Sequence, residues 1–415
     1  MTIRLPEQEK AIDYMLVYLL AAISGMPFFN GDVPMIGVFG FAFLIFLLRK
    51  EGFHRFYFFI LFAFLILVCL HSLRFNHFPR NTYIGLIVKI SVGFCVLAVV
   101  KQNFTKYYVD IIVFFSIVSF FFFIPLSISS GFDSIFNAIG LSSPFEPGGS
   151  VKSLIFYQLN LGRPGGLYRN CGPFWEPAAF GGYLLIALMF NLARTNSLKE
   201  RKSVILIITL ISTLSTTVFL LLAVLIFFYF FVNQTLAVKL ITVPVLAGLF
   251  IYAFVSLPFL NEKIEEELER GDMKAEMMKS DQVGHTRLSS AIWDYNDFMK
   301  YPIIGRGIFG QTFYNSTDLK TRHNGLTKQI AQWGIIGSLI YFITMFYSFQ
   351  KLVRYSSLHS FLSVVLFFLI LGMGVAEGYF DKPFFWGLIF LHIYLTQSSI
   401  PEEMIEEDQK TVSYA

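Results

Sequence analysis

Long apolar stretches recur along most of this chain, and they restrict its fold more than any other feature of the sequence. Many are about 17–25 residues long, the length of a helix that crosses a hydrocarbon layer roughly 30 Å thick. Of the 415 residues, 55% are hydrophobic and only 14% are charged, whereas a soluble domain carries about 25% charged residues. The sequence therefore predicts an all-α, polytopic integral membrane protein with a single transmembrane domain over residues 1–415.

The apolar stretches predict twelve transmembrane helices. Their bounds are 11–29, 33–48, 56–73, 83–100, 107–127, 174–193, 203–217, 218–232, 237–256, 332–349, 358–375 and 383–397. The polar sequence STLSTT interrupts the apolar run of 203–232, which predicts a break in the helix there. A break at membrane depth requires protein or water to satisfy its backbone polar groups.

Positive charges predict the orientation, because Lys and Arg collect in the short cytoplasmic loops of membrane proteins. With both termini in the cytoplasm, the inner segments carry fifteen of them and the short outer loops only three. The inner ones are Arg4, Lys10, Arg49, Lys50, Arg55, Lys101, Lys106, Arg194, Lys199, Arg201, Lys202, Lys239, Lys351, Arg354 and Lys410; the outer ones are Arg74, Arg80 and Lys382. The net charge of +4 belongs mostly to these loops, so no nucleic-acid partner is expected.

Two outer loops are long, at 128–173 and 257–331. The second contains HTRLSSAIWDYNDFMKYP, in which Leu288, Ile292, Tyr295 and Met299 share one stripe of a predicted helix that ends before Pro302. No internal repeat is visible, which argues against the duplicated halves of many transporters.

Polar residues that can carry chemistry lie on the predicted outer side. They are Arg169 and Glu176 before the sixth span, Arg287 and Arg306 in the large loop, and Arg322, His323 and Asn324 before the tenth span. Guanidinium groups are always charged and bind oxyanions through two donors, so this set suits a phosphate or diphosphate ligand.

Each of these residues also has a plainer interpretation. Outer arginines often extend to lipid phosphates, Glu176 can cap the helix that begins at Pro177, and His323 can bond a loop carbonyl. Lys89 and Asp110 lie within apolar stretches, where either can line a cavity, and they have no assigned role.

The sequence contains no HExxH motif, zinc-binding cysteine spacing, P-loop or dinucleotide-binding fingerprint in a suitable context. No metal ion and no cofactor are therefore expected.

Two segments together resemble a known family. HTRLSSAIWDYNDFMKYPIIGRGIFG (285–310), followed by RHNGLTKQIAQWGIIGSLIYF (322–342), is similar to the C-terminal region of the O-antigen polymerase and O-antigen ligase superfamily. RNCGPFWEPAAFGGYLL (169–185) looks like the Arg-x-x-Gly-x-Phe-x-Glu-Pro stretch of many polysaccharide polymerases. The predicted topology agrees with that superfamily over most of the chain. The residues that are diagnostic of the superfamily lie in 169–177 and 287–338. Many relatives carry Ser-Arg after the seventh span, whereas this chain has LSTTVFLL and lacks that arginine.

The resemblance implies a GT-C-like glycosyltransferase of the bacterial cytoplasmic (inner) membrane, with its active site on the outer face. Such enzymes use a polyprenyl-diphosphate-linked glycan and need no nucleotide. Arg169, Arg287 and Arg322 are then expected to bind the diphosphate, with Arg306 and Asn324 as further sugar or diphosphate contacts. The base that activates the acceptor hydroxyl is expected to be His323, with Glu176 as the alternative.

The function that this resemblance implies is polymerisation of lipid-linked oligosaccharide repeat units into O-antigen, capsule or exopolysaccharide. The expected partners are the polyprenyl-diphosphate-linked oligosaccharide as both donor and acceptor, membrane lipids, and a chain-length regulator and flippase. The alternative is an O-antigen ligase that transfers polymer to lipid A-core, but the sequence Phe-Trp-Glu-Pro at 174–177 favours a polymerase. A lipid-linked oligosaccharide flippase fits less well, because it is expected to show repeat symmetry and no long structured outer loop.

Overall fold

The computed structural model describes residues 7–78, 80–129, 131–142, 152–159, 168–233, 244, 248, 287–308, 324–356 and 358–395. The predicted span 237–256 is described only at positions 244 and 248. Arg322 and His323 lie outside the described residues, as does much of the predicted loop 257–331.

The described chain is mostly helical, as the apolar stretches predict. The helices are α1 (Glu7–Gly25), α2 (Asp32–Leu48), α3 (Arg55–Phe75), α4 (Arg80–Val100), α5 (Phe104–Ile128), α6 (Gly131–Ile139), α7 (Pro177–Thr195), α8 (Arg201–Ser212), α9 (Thr216–Asn233), α10 (Arg287–Lys300), α11 (Gly325–Tyr355), α12 (Phe361–Ala376), α13 (Pro383–Leu388) and α14 (Leu391–Tyr394). Strand β1 (Leu141–Ser142) pairs antiparallel with β2 (Lys152–Ser153), and 3-10 turns occupy Pro27–Phe29 and Lys101–Asn103.

Among the described residues, four helical stretches are long and apolar enough to cross a membrane: Arg55–Phe75, Arg80–Ile128, Pro177–Thr195 and Gly325–Tyr355. Asp32–Leu48, Thr216–Val232 and Phe361–Ala376 are shorter apolar helices. The 49 residues of Arg80–Ile128 would form about 74 Å of helix, more than twice the roughly 30 Å hydrocarbon layer. This stretch divides into α4 and α5 at Lys101, where φ is 54°, so it fits two crossings. The total of twelve spans stays a prediction.

Helix α7 forms the centre of the bundle. Every residue from Pro177 to Ala193 is buried, whereas helices farther out expose large apolar side chains. Phe62 is 56% exposed, Leu73 81% and Phe121 72%. Large apolar side chains on an outer surface are unfavourable in water and match a lipid environment.

The predicted break in 203–232 is confirmed. Helix α8 ends at Ser212 and α9 begins at Thr216, with Leu214 in a left-handed conformation at φ 46°. The segment before α7 satisfies the exposed backbone groups: Asn170 N–H donates to the Ser212 carbonyl at 3.1 Å, and Arg169 Nε donates to the Thr213 carbonyl at 3.2 Å. Protein groups therefore support this break, as irregular backbone in an apolar surrounding requires.

The last predicted span, 383–397, is not a single helix in the structure. It consists of the short, buried helices α13 and α14. Gly387 of α13 contacts Gly93 of α4 so closely that a Cβ at position 93 would collide with the Gly387 backbone. His392 N–H also donates to Ser348 Oγ at 3.3 Å, so neighbouring helices surround this segment.

The predicted helix in the large loop is confirmed as α10, but its apolar stripe does not face the protein. Ile292, Tyr295 and Met299 are exposed. The buried face instead carries Trp293, Asp294 and Asp297. The two aspartates lie against the buried Arg306, which belongs to the turn that follows α10.

Charged side chains collect at both ends of α7. Its 19 residues extend over about 28 Å, from Glu176 just before the helix to Arg194 in the last turn. At the Arg194 end lie Asp13, Arg49, Asp110 and Lys202, joined in ion pairs; this group is called the Asp110 end. At the opposite end lie Glu176, Arg287 and Glu377, called the Glu176 end.

Candidate functional site

Glu176 lies at the N-terminus of the central helix α7. Its backbone is extended (φ −160°, ψ 165°), Pro177 begins the helix, and the carboxylate makes no hydrogen bond that caps the helix. The side chain instead faces Arg287, with Oε1 3.7 Å from Nη2. The capping interpretation of Glu176 is therefore wrong, and its carboxylate is directed toward other charged groups.

A second carboxyl group, Glu377, lies beside Glu176, and sequence reasoning missed it. Glu377 immediately follows α12, and its Oε1 accepts a hydrogen bond from Arg287 Nη2 at 2.8 Å. Its other oxygen accepts a bond from Trp175 Nε1 at 3.3 Å. Glu176 and Glu377 both lie against Arg287 Nη2, and we call them the carboxyl pair.

One member of the carboxyl pair, Glu377, has a raised pKa and so binds a proton more tightly than an ordinary glutamate. Burial, together with the adjacent Glu176 carboxyl, raises the pKa of Glu377 well above its usual range, and the opposing effect of Arg287 is smaller. Two carboxylates in contact cannot both ionise easily, so one proton is retained between them. Glu176 Oε1 accepts no hydrogen bond from a donor group among the described residues, which is consistent with a proton held between the carboxyls. The pair thus offers a carboxyl group that retains its proton, Glu377, beside a second carboxyl group, Glu176.

Arg287 connects the carboxyl pair to α10, of which it is the first residue. Its side chain is 31% exposed, compared with 37% for Glu176 and 13% for Glu377. A guanidinium group has five N–H donors, more than its Nη2 contacts with two carboxyl groups use. The site is thus partly open, and Arg287 can contact an anionic ligand while it holds the pair.

The N-terminus of α11 lies beside Glu377. A Cβ at Gly325 would collide with the Glu377 carbonyl oxygen. Asn324 caps α11 through Oδ1, which accepts from Thr327 N–H at 3.0 Å, and Asn324 is 4% exposed. The predicted contact of Asn324 with a sugar stays a prediction, and so do the roles of Arg322 and His323, which lie outside the described residues.

Arg306 is buried rather than open to a ligand. It is 2% exposed, and its guanidinium lies 3.3 Å from Asp297 and 3.8 Å from Asp294. Asp294 also accepts a hydrogen bond from Thr327 Oγ1 at 2.8 Å. Arg306 therefore joins α10 to the start of α11, and in this arrangement its effect on the site is one of positioning.

The Pro-x-x-Gly-x-Gly turn at 302–307 forms backbone hydrogen bonds with α11 at a break in that helix. Gly334 has φ 61°, which interrupts the helix. Backbone N–H groups of Arg306 and Gly307 donate to the carbonyls of Ala331 and Gln332 at 2.9 and 3.0 Å. In return, the N–H groups of Ile335 and Ile336 donate to Pro302 and Ile303 at 2.8 and 3.2 Å. The two sequence segments are thus one structural unit.

Arg169 is half-buried and supports the break between α8 and α9 through the Thr213 carbonyl. Of the two charged residues within apolar stretches, Asp110 bonds Tyr14 and Lys202 at the far end of the bundle, whereas Lys89 lines a cavity. In the part of the chain that the structure describes, no group of three or more His, Cys, Asp or Glu side chains is arranged to hold a metal ion.

Comparison with known proteins adds no assignment: no protein-family model matches the sequence, and no curated protein matches it significantly.

Proposed function

We propose that this chain is a membrane glycosyltransferase that polymerises oligosaccharide repeat units carried on a polyprenyl diphosphate. The carboxyl pair on Arg287 is the observation that carries this proposal. It combines a partly exposed carboxyl group, a retained proton on Glu377 and a partly exposed cation at the N-terminus of α7. The resemblance of residues 169–177 and 287–338 to polysaccharide polymerases supports the same activity.

The chemistry follows from these groups. The acceptor hydroxyl gives its proton to the Glu176 carboxylate while its oxygen forms a bond to the anomeric carbon of the donor. The bond between that carbon and the diphosphate oxygen breaks, and the electron pair leaves with the diphosphate. Fixed cations stabilise the negative charge that develops on the leaving group. Arg287 is placed for this role, and Arg322 is the second candidate from the sequence.

Glu176 is preferred as the base over His323 for a physical reason. The Glu176 carboxylate lies at the N-terminus of α7, with Oε1 3.7 Å from Arg287 Nη2. Glu176 is also 37% exposed, so a ligand can approach its side chain. The sequence-based preference for His323 stays a prediction, and substitution of both residues distinguishes them.

A direct test uses the purified chain in lipid nanodiscs with a synthetic polyprenyl-diphosphate-linked repeat unit. A polymerase produces a ladder of lipid-linked multiples of the repeat unit, which mass spectrometry resolves. A ligase forms a product only when lipid A-core is added. If no new glycosidic bond forms with either acceptor, the proposed transfer is wrong and a flippase becomes the better candidate.

We also propose that the Glu176 end faces the outside of the cytoplasmic membrane and that both termini are cytoplasmic. The excess of Lys and Arg in the opposite loops supports this orientation. Reporter enzymes fused after Lys50 and Arg354 are expected to report a cytoplasmic location, and a fusion at Met278 an external one. An external signal at Lys50 with a cytoplasmic signal at Met278 would place the site on the wrong face for a lipid-linked external donor.

A further inference from the structure

A cavity of about 340 Å³ lies between α2, α4, α11 and the segment after α12. Its lining includes Asn81, Lys89, Lys328, Gln329, Asp381 and Trp386, so it is separate from the carboxyl pair. This volume is at the lower end of the range for small-molecule sites, about 300–1,000 Å³. It suits a single sugar ring better than a long chain.

Lys89 is the most unusual member of this lining, because it lies within the apolar helix α4. A charged residue in such a helix is costly unless it faces a cavity or a partner. Thr82, Gly85 and Lys89 are three and four residues apart, so they share the face of α4 that lines the cavity. Among the described residues, Lys89 forms no ion pair within 4.0 Å, and its charged neighbours are Asp381, Lys382, Lys328 and Asp32.

Two further polar atoms of the lining have no hydrogen-bond partner in the described part of the chain. Gln329 is 2% exposed, and its Nε2 has no partner among the described residues. Asp381 Oδ2 is 3.2 Å from Lys328 Nζ, but the other oxygen, Oδ1, is buried without a partner in the described part of the chain. A buried polar group without a partner is unfavourable by about 1–3 kcal/mol, so a ligand that bonded these atoms would offset that cost.

Asp381 is held ionised in this cavity. Burial acts to raise the pKa of its carboxyl, but the nearby charges of Lys328, Lys89 and Lys382 outweigh burial and lower the pKa below its ordinary value. Asp381 is therefore an acceptor at neutral pH. The lining thus offers two donors, the Lys89 ammonium and the Gln329 amide, and one acceptor, Asp381 Oδ1, that are not paired with any of the described residues.

We propose that this cavity binds a sugar that carries a carboxylate, such as a hexuronic acid of the repeat unit. The inference rests on the proposed function, since it identifies an acidic sugar as part of that substrate. The sugar carboxylate accepts from Lys89 and Gln329, a ring hydroxyl donates to Asp381 Oδ1, and Trp386 provides an apolar wall.

The charge balance selects a carboxylate rather than a phosphate. The lining contains Lys89 and Lys328 against Asp32 and Asp381, and Lys382 lies nearby. One added negative charge therefore leaves these groups neutral. A phosphate with two charges, or a diphosphate, would leave an excess negative charge beside two aspartates.

Gly85 allows this site to be blocked without disturbing the fold. A Cβ at Gly85 would meet no atom within 4 Å, and the same is true of Gly40 on α2. Gly40 does not line the cavity. Gly85→Leu therefore inserts a side chain beside the cavity, and Gly40→Leu is the matched control.

The test measures binding of D-glucuronate to the full chain in phosphatidylcholine nanodiscs by ligand-observed NMR titration, with glucose and inorganic phosphate as comparison ligands. Glucuronate is expected to bind more tightly than either. Lys89→Gln should weaken binding at least about tenfold, as loss of a hydrogen bond to a charged group implies. Gly85→Leu should weaken it comparably, and Gly40→Leu should leave it unchanged.

Equal binding of glucose, or displacement of glucuronate by inorganic phosphate, would overturn the inference. Unchanged glucuronate binding in Gly85→Leu would overturn it even if Lys89→Gln failed to fold. Glu176→Gln should bind glucuronate normally while it forms no polymer. Glucuronate binding by a wild-type chain without transferase activity would thus contradict only the proposed function, whereas active transfer without glucuronate binding would contradict only the cavity assignment.

Discussion

The two ends of α7 both carry buried or half-buried charges, but they are bonded differently. At the Asp110 end, opposite charges meet in close pairs: Arg49 lies 2.6 Å from Asp13, and Lys202 lies 2.7 Å from Asp110, which also accepts from Tyr14 at 2.6 Å. At the Glu176 end, two carboxyl groups share one arginine, at 2.8 and 3.7 Å. A charged group that only stabilises the fold is expected to be paired with an opposite charge. Crowded like charges are unfavourable for stability and are typical of sites where protons move.

The largest expected effect concerns Glu176. Glu176→Gln keeps the shape of the side chain but removes the carboxylate that accepts a proton, so transfer should fall about 10²–10⁴-fold. The rate of polymer formation from a lipid-linked repeat unit measures this loss, and an unchanged melting temperature shows that the fold is retained.

His323→Ala is the companion variant. If Glu176→Gln polymerises normally and His323→Ala does not, the base is His323. Neither end of α7 would then supply the base, and the Glu176 end would differ from the Asp110 end only in how its charges are paired.

Arg306→Met tests whether a buried arginine near the Glu176 end is structural. The substitution removes the cation from between Asp294 and Asp297, and breaking a buried ion pair in this way destabilises a protein by about 3–5 kcal/mol. Denaturation in detergent should show a large decrease in stability. The triple variant Arg306→Met, Asp294→Asn, Asp297→Asn should recover part of it. If the Arg306→Met protein is stable but inactive, Arg306 binds the ligand, as the sequence predicted, and is not a structural residue.

The pH dependence of transfer tests the retained proton. Because the pKa of Glu377 is raised by burial and by Glu176, Glu377 is protonated at neutral pH and ionises only in the alkaline range. An unfolded glutamate ionises near its ordinary pKa of 4.5, so the stability that protonated Glu377 contributes is complete below that pH and decreases as pH rises from there to the alkaline range. Ionisation in the alkaline range places a negative charge beside Glu176, so transfer should decrease there. The rate should fall several-fold across this range. Glu377→Gln, which cannot ionise, should remove the alkaline decrease, and a decrease that persists would assign it to another group.

Local patterns in the sequence were sufficient to predict where many of the helices lie. The predicted spans 56–73 and 107–127 correspond to Arg55–Phe75 and Phe104–Ile128, because a continuous apolar run determines where a helix lies. The break at STLSTT was also predictable, since its clustered hydroxyl residues interrupt such a run. The division of the predicted span 383–397 into α13 and α14 was not predictable, because the surroundings of this segment include a contact between Gly387 and Gly93 that no local pattern encodes.

The candidate site was only partly predictable for the same reason. Glu377 is one acidic residue after an apolar run, and its importance depends on Arg287 and Glu176, 90 and 201 positions earlier in the sequence. Its position at the end of the eleventh predicted span, on the same side as Glu176, was the one available signal. Arg306 was predicted to contact a ligand as one of the arginines of the large outer loop, but its contacts with Asp294 and Asp297 of α10 depend on the folded structure.

The smallest expected effect belongs to the Asp110 end, and it is the control for the whole comparison. Lys202 and Asp110 are 37% and 22% exposed, and an ion pair with that exposure contributes about 0–1 kcal/mol. Lys202→Met leaves Asp110 its bond from Tyr14, so the melting temperature should change little. The transfer rate should be unchanged, because Lys202 and the carboxyl pair lie at opposite ends of α7, a helix about 28 Å long. If a folded Lys202→Met protein instead lost transfer, charge at the two ends would be coupled through α7, and the contrast between a structural end and a reactive end would be wrong.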